Sequence, residues 1–364
     1  MKKIIAIIMI LATVFSLAAC GESTYPAVES TEEEKTVMLT YKYENQTYEV
    51  RYELYRALFL NFAEEYDNGD RSFWSTADAS DAIGEINERI TDYCLDIFAV
   101  IHLSKKIGYD PYSKDADSRI EEYIRQSVDG NGAELEGFGG DYNAYLESLK
   151  KINMNYSVQV LLLRYSLAYD KILDHYSGTF NENNPSQIDM GALEYTEEDV
   201  REFYESDNCV RVSLVEINSQ YISREKAELR RNEIAAKTTE EQALKYAVQF
   251  TAGDASDIMN GIVIGKNSLD RAYYSNVVDT AFGLAPYETS EIIDITVDGT
   301  PYYWILYKRE KSEDYFDAHY DDIASVFVSE SIGNIINNMK SEIKKQEITS
   351  YNLKEIDYTA IAMP

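Results

Sequence analysis

Apolar and polar positions change period along this chain, and the changes mark out its elements. Val37–Tyr43 and Thr47–Val50 alternate around Glu44-Asn45-Gln46, which predicts a hairpin. From Arg51 to Tyr66 the period lengthens. Leu54, Leu58 and Phe62 recur at helical spacing, and the turn residues Asp67-Asn68-Gly69-Asp70 stop the run. A long helix follows, with Ile83, Ile86, Ile90, Tyr93, Ile97, Val100, Leu103 and Ile107 stepping by three and four. Gly108 ends it and Pro111 comes soon after. Ser118–Val128, Tyr142–Leu149 and Ser157–Tyr176 complete a helical set. Asp129–Gly140 between them is glycine-rich but lacks a Walker lysine, so it reads as a loop.

The second half begins with a polar linker, Gly178–Ala192. Thr196-Glu197-Glu198-Asp199 is a capping-box-like helix start. Val210–Ile217 alternates as a strand. A charged helical segment runs from Ser223 to Phe250. Gly261-Ile262-Val263-Ile264-Gly265 is a glycine-flanked strand, and Val277–Leu284 a short helix. Glu291–Val297 and Tyr302–Lys308 form strands around Asp298-Gly299. Tyr315–Lys345 is a final helix, with Ile323, Phe327, Ile332, Ile335, Ile336 and Met339 on its apolar side.

Strand, helices, glycine-flanked strand, short helix and hairpin is an order that resembles the parvulin-type peptidyl-prolyl isomerase domain. The closest echoes are "RVSLVEIN", "DTAFGLAPYETSEII" and "PYYWILYKRE". The resemblance implies a histidine in the first strand and another in the last. Here those positions hold Leu214 and either Trp304 or Tyr303, depending on how the hairpin is aligned. The chain has only His102, His175 and His319, none of them between 209 and 311. The family's proline-pocket aromatic falls on Val277. The resemblance thus implies peptide-binding residues at Leu214, Tyr273, Val277, Phe282, Tyr303 and Trp304, and no catalytic residues.

The helical half resembles a second family. "ITDYCLDIFAVIHLSKKIGYDPYSKDADSRIEEYI" and "DYNAYLESL" are similar to helices of the N-terminal chaperone module in PrsA-type foldase lipoproteins and SurA-type periplasmic chaperones. The fold expected is α+β: a helical chaperone module of the trigger factor/SurA peptide-binding kind, carrying an inserted parvulin-like α/β domain. The boundaries expected are a signal segment at 1–19, a tether at 20–36 and the helical module at 37–177. A linker and connecting helix occupy 178–208, and the parvulin-like domain 209–311. The last segment, 312–364, brings a helix back onto the helical module.

The first residues place the chain in a cell. Lys2-Lys3 precedes an apolar run, Ile4–Leu17, too short to span a bilayer, and then Ala18-Ala19-Cys20. Leu17-Ala18-Ala19-Cys20 resembles the bacterial lipobox, which implies lipidation of Cys20 and a place on the extracytoplasmic face of a Gram-positive type membrane. Glu22–Glu34 is polar and reads as a flexible tether. Only Cys94 and Cys209 remain after Cys20, too few for a disulfide framework.

Charge removes further classes. The formal net charge is −30 over 364 residues. It becomes −32 when the signal segment leaves, because that segment carries Lys2 and Lys3 and no acids. Nucleic-acid binding needs a basic footprint, so no nucleic acid is expected. No HExxH, CxxC or GxSxG is present, and no metal or cofactor is expected. The partners expected are unfolded exported polypeptides and, through Cys20, the membrane. A second copy in a homodimer stays open. Of the 31 tyrosines, Tyr221, Tyr273, Tyr274, Tyr287, Tyr302, Tyr303 and Tyr307 crowd the parvulin-like stretch. Tyrosine suits strands and cores, and it also suits contact with varied extended peptides. The reading is a lipid-anchored chaperone or holdase. Its rivals are an active isomerase with a rearranged site and a scaffold lipoprotein.

Overall fold

The computed structural model describes residues 25–130, 137–177, 179–180, 188–189, 191–267, 271–297, 300–346, 348–351, 356–358 and 361. The signal segment with Cys20, most of the Gly178–Ala192 linker and the Asp298-Gly299 turn lie outside the described residues. The protein is α+β, and it divides into two compact units: Met1–His175 with Ile336–Pro364, and Tyr176–Ile335.

In the first unit, β1 (Val37–Tyr43) and β2 (Gln46–Arg51) pair antiparallel across Glu44-Asn45, where Glu44 takes φ 52°. The strand β9 (Ile348–Ser350) pairs with the other edge of β1. Among the described residues, five α-helices follow the hairpin: α1 (Tyr52–Asp67), α2 (Ala79–Lys106), α3 (Lys114–Asp129), α4 (Tyr142–Lys151) and α5 (Tyr156–Ser177). The apolar stripe of α2 is one-sided only at its start. From Cys94 to Ser104 nearly every side chain is buried, because Tyr41 and Tyr48 of the hairpin pack against Phe98. His102 is buried there, its Nδ1 2.6 Å from Tyr48 Oη. Gly108, at φ 91°, lets Tyr109 N–H return to Ser104 O, the left-handed stop that glycine permits. Lys340 reaches Asp92 and Asp96 of α2 at 2.8 and 2.9 Å. Residues 25–36 depart from the flexible tether expected there. Tyr25 stacks on Tyr142 at 5.0 Å, Tyr142 Oη donates to Pro26 O, and Asn155 donates to Glu34. A polar composition hides such specific anchors.

The second unit opens with the short antiparallel pair β3 (Thr179–Phe180) and β4 (Ile188–Asp189). Then comes α6 (Glu197–Glu205), which starts on a complete capping box between Thr196 and Asp199. The sheet that follows has the order β6-β5-β8-β7, all antiparallel: β5 (Cys209–Asn218), β6 (Ile262–Gly265), β7 (Ile293–Val297) and β8 (Thr300–Arg309). The charged segment after β5 folds as α7 (Arg224–Ala235) and α8 (Glu240–Ala247), followed by α9 (Ala255–Met259). These helices cover one face of the sheet, packing Ala227, Leu244 and Ile258 on Val215, Ile217 and Ile305. The other face takes α10 (Arg271–Gly283), whose Val277 and Ala281 meet Val212 and Leu306. Burial on both faces explains why β5 is apolar at both parities, each such side chain contributing about 1.5–3 kcal/mol. α11 (Glu313–Ala318) and α12 (Tyr320–Lys344) close the order. Cys94 and Cys209 are buried free thiols.

Candidate functional site

The sheet face under α10 carries a cleft. Strand alternation puts Val210, Val212 and Leu214 of β5 on that face, and the register sets Leu214 opposite Leu306 of β8. Trp304 lies two residues further along β8 on the same face, opposite Glu216. α10 bends at Tyr274, which has φ −127° and ψ 38°, so that Tyr274 and Val277 both turn toward the sheet. The Tyr274 and Trp304 rings are 5.4 Å apart. Lys308 Nζ donates to Leu284 O at 2.7 Å and ties β8 to the end of the helix.

Leu214, Tyr274, Val277, Trp304 and Leu306 form one side of a cavity of about 360 Å³. Val278 of α10, Ile262–Gly265 of β6 and Ser325, Val326 and Ser329 of α12 form the rest. Among the described residues, no carboxylate, lysine, arginine or histidine lines it. Trp304 is 7% exposed, and its Nε1–H has no hydrogen-bond partner among the described residues. The carboxyl of Glu216, opposite Trp304 in the register, is held above the usual carboxylate range first by burial and then by Asp257.

The structure therefore brings together three of the six residues singled out from the sequence: Leu214, Val277 and Trp304. Phe282 packs in the same apolar cluster but does not line the cavity. Tyr303, opposite Ile217, points to the other face and packs with Val215 and Ile305 under α7. The register thus puts Trp304, and not Tyr303, on the cleft face. The side chain of Tyr273 lies outside the described residues. Sequence reasoning missed Tyr274 and the α12 contribution. Ser325 and Ser329 are one turn apart on a helix, a weak signal that does not say what they face.

The histidine of this unit is elsewhere. His319 bonds Asp322 at 3.3 Å and stacks on Tyr315 at 4.3 Å. It lines a separate polar pocket of about 460 Å³ with Arg211 and Arg309. There Arg211 donates to Asn260 O and Glu310 O and lies over the Tyr315 ring, while Arg309 pairs with Glu240. Burial and the neighbouring Arg309 guanidinium push the Arg211 pKa down.

No family model matches the chain, and no curated protein matches it. Among solved structures it is similar to foldase protein PrsA from Streptococcus pneumoniae, with 14% identity over 75% of this chain and 93% of that one, at a TM-score of 0.25. It is similar to foldase protein PrsA from Lactococcus lactis, with 14% identity over 90% and 99% of the two chains and a TM-score of 0.23. It is also similar to PrsA from Bacillus subtilis, with 15% identity over 90% and 98% and a TM-score of 0.23. No helix of the described residues is long and apolar enough to cross a membrane.

Proposed function

We propose that this chain is an exported, lipid-anchored folding factor that holds unfolded polypeptide in the cleft under α10. The observation that carries this reading is the cleft's lining among the described residues: apolar walls and two serines, with no histidine and no charged side chain. Such a surface buries apolar segments of many sequences and offers no group to move a proton at neutral pH. Twisting an X–Pro amide needs little covalent help, since its barrier of ~18–20 kcal/mol is rotational. It does need polar groups that recognise the twisted amide, and here Leu214 supplies none. Holding is therefore the activity, and isomerisation is weak or absent. The anchor is Cys20, supported by the basic residues, short apolar run and small residues before it. The test uses the full chain in detergent. Suppression of aggregation of two unrelated unfolded proteins is the expected result. Rapid acceleration of an X–Pro-limited refolding phase would favour an isomerase instead, and failure in both assays a scaffold.

A further inference from the structure

The outer edge of β6 is covered at both ends and bare in the middle. Lys266 N–H donates to Asn208 O, and the register runs Cys209↔Gly265, Val210↔Ile264 and Arg211↔Val263. In an antiparallel ladder this directs the backbone groups of Ile262 and Ile264 toward β5, and those of Gly261, Val263, Gly265 and Asn267 outward. Two of these outward positions are capped by fixed side chains. Gly261 O accepts from Tyr315 Oη at 2.9 Å, and Asn267 N–H donates to Glu330 Oε2 at 2.5 Å. Between the caps, neither the N–H nor the C=O of Val263 has a hydrogen-bond partner among the described residues. Val263 also borders the apolar cavity. Proteins cover strand edges because a bare edge recruits another strand. This edge is covered except where it meets the cleft.

We infer that a bound polypeptide adds to β6 as an extra strand, exchanging both backbone hydrogen bonds with Val263 and setting its flanking side chains into the cleft. The inference rests on the reading that the cleft holds polypeptide, and it specifies what kind. A free N–H beside a free C=O is complementary to a peptide backbone. A lining without charge selects uncharged neighbours. Strand alternation then fixes the pattern. The residue opposite Val263 points to the face that Val263 itself uses, against the cluster of Val200, Phe203 and Phe316. The residues before and after it point to the face of Ile262 and Ile264, where Leu214, Val277 and Trp304 lie. The recognised unit is apolar–x–apolar in extended form. Its central residue must keep its N–H and so cannot be proline. A flanking residue turns its N–H away from the edge and can be proline.

The experiment measures binding of a fluorescent, uncharged peptide with a single leucine–x–leucine unit to the full chain in detergent, together with a set of copies methylated at one backbone nitrogen each. Affinity is expected to fall about tenfold when the methyl sits on the residue between the two leucines and little at the other positions, as the lost backbone hydrogen bond to Val263 requires. Val263→Pro removes the outward N–H at a position where an edge strand tolerates proline, and should weaken binding by a similar factor without lowering the melting temperature. Equal affinities across the methylated set, or undiminished binding to a folded Val263→Pro chain, would overturn strand addition. A dimer of the chain that Val263→Pro dissociates would also overturn it, by making a second copy the occupant. Leu214→Asp separates the two levels. If it abolishes binding while methylation has no effect, the cleft reading stands and strand addition fails. If it changes nothing, the cleft itself is not the site.

Discussion

Trp304 and Tyr274 meet in the wall of the cleft with ring centroids 5.4 Å apart, one from the sheet and one from the bend of α10. This contact makes Trp304 a reporter. The only other tryptophan, Trp74, is buried and bonded to Asp67, whose same oxygen also takes Arg71. In Trp74→Phe, Trp304 is the sole indole, and an apolar peptide should change its emission maximum on binding. An unchanged spectrum at saturating peptide would count against occupancy of the cleft.

Restoring one imidazole is expected not to restore isomerase activity. Leu214→His would set its ring opposite Leu306, which offers no side-chain hydrogen-bond partner, between Val212 and Glu216 along β5, and with no second imidazole on that face among the described residues. Each ~1.4 kcal/mol of transition-state stabilisation is worth tenfold in rate. The variant should therefore accelerate a proline-limited refolding phase no more than wild type does. A gain of tenfold or more would show that one histidine suffices.

Arg211 is a stability prediction. Its guanidinium satisfies Asn260 O and Glu310 O from inside the unit. Arg211→Met keeps the stem and strands both carbonyls, at about 1–3 kcal/mol each where water cannot replace the donor. A fall of about 2 kcal/mol or more in denaturant unfolding free energy is expected. A change below ~0.5 kcal/mol would mean that solvent takes over the role.

Asp170 gives the pH dependence. Burial, and then Asp174, push its carboxyl from the usual carboxylate range up to about 6. The folded state therefore binds a proton that the unfolded state releases between about pH 4 and 6. Stability from this group is full below its unfolded pKa and falls as pH rises to about 6. Asp170→Asn should flatten that slope and raise stability at pH 7, by an amount on the order of 2 kcal/mol. Parallel pH–stability curves for the two proteins would refute the assignment.

Anchoring is testable at one residue. Cys20→Ala should lose metabolic fatty-acid labelling and either appear in the medium or stay unprocessed. Labelling equal to wild type would remove the lipid from the reading.

Much of this was legible in residues alone. β5 and β8 alternate strongly enough to be placed, and α2 shows its stripe and its glycine stop. The cleft was half legible: the resemblance to the parvulin pattern points to Leu214 and Val277. Choosing Trp304 over Tyr303 required the register, which a small hairpin insertion hides and which flips every side chain when it slips by one. The bend at Tyr274 left no mark, because tyrosine is compatible with helix, strand and turn. The bare edge at Val263 was invisible, since it depends on two long-range caps, Tyr315 and Glu330, far away in sequence.

The pairing of β9 with β1 has a temporal consequence. Leu39 meets Ser350, so the first hairpin of the chain gains its second neighbour only from the far end. At roughly 5–20 residues per second the intervening ~300 residues take roughly 15–60 s to synthesise. Throughout that interval one side of β1 stays open, while Tyr176–Ile335, being continuous, can complete itself as soon as it emerges. A protein proposed to shelter unfinished chains is itself an unfinished chain for most of its own synthesis.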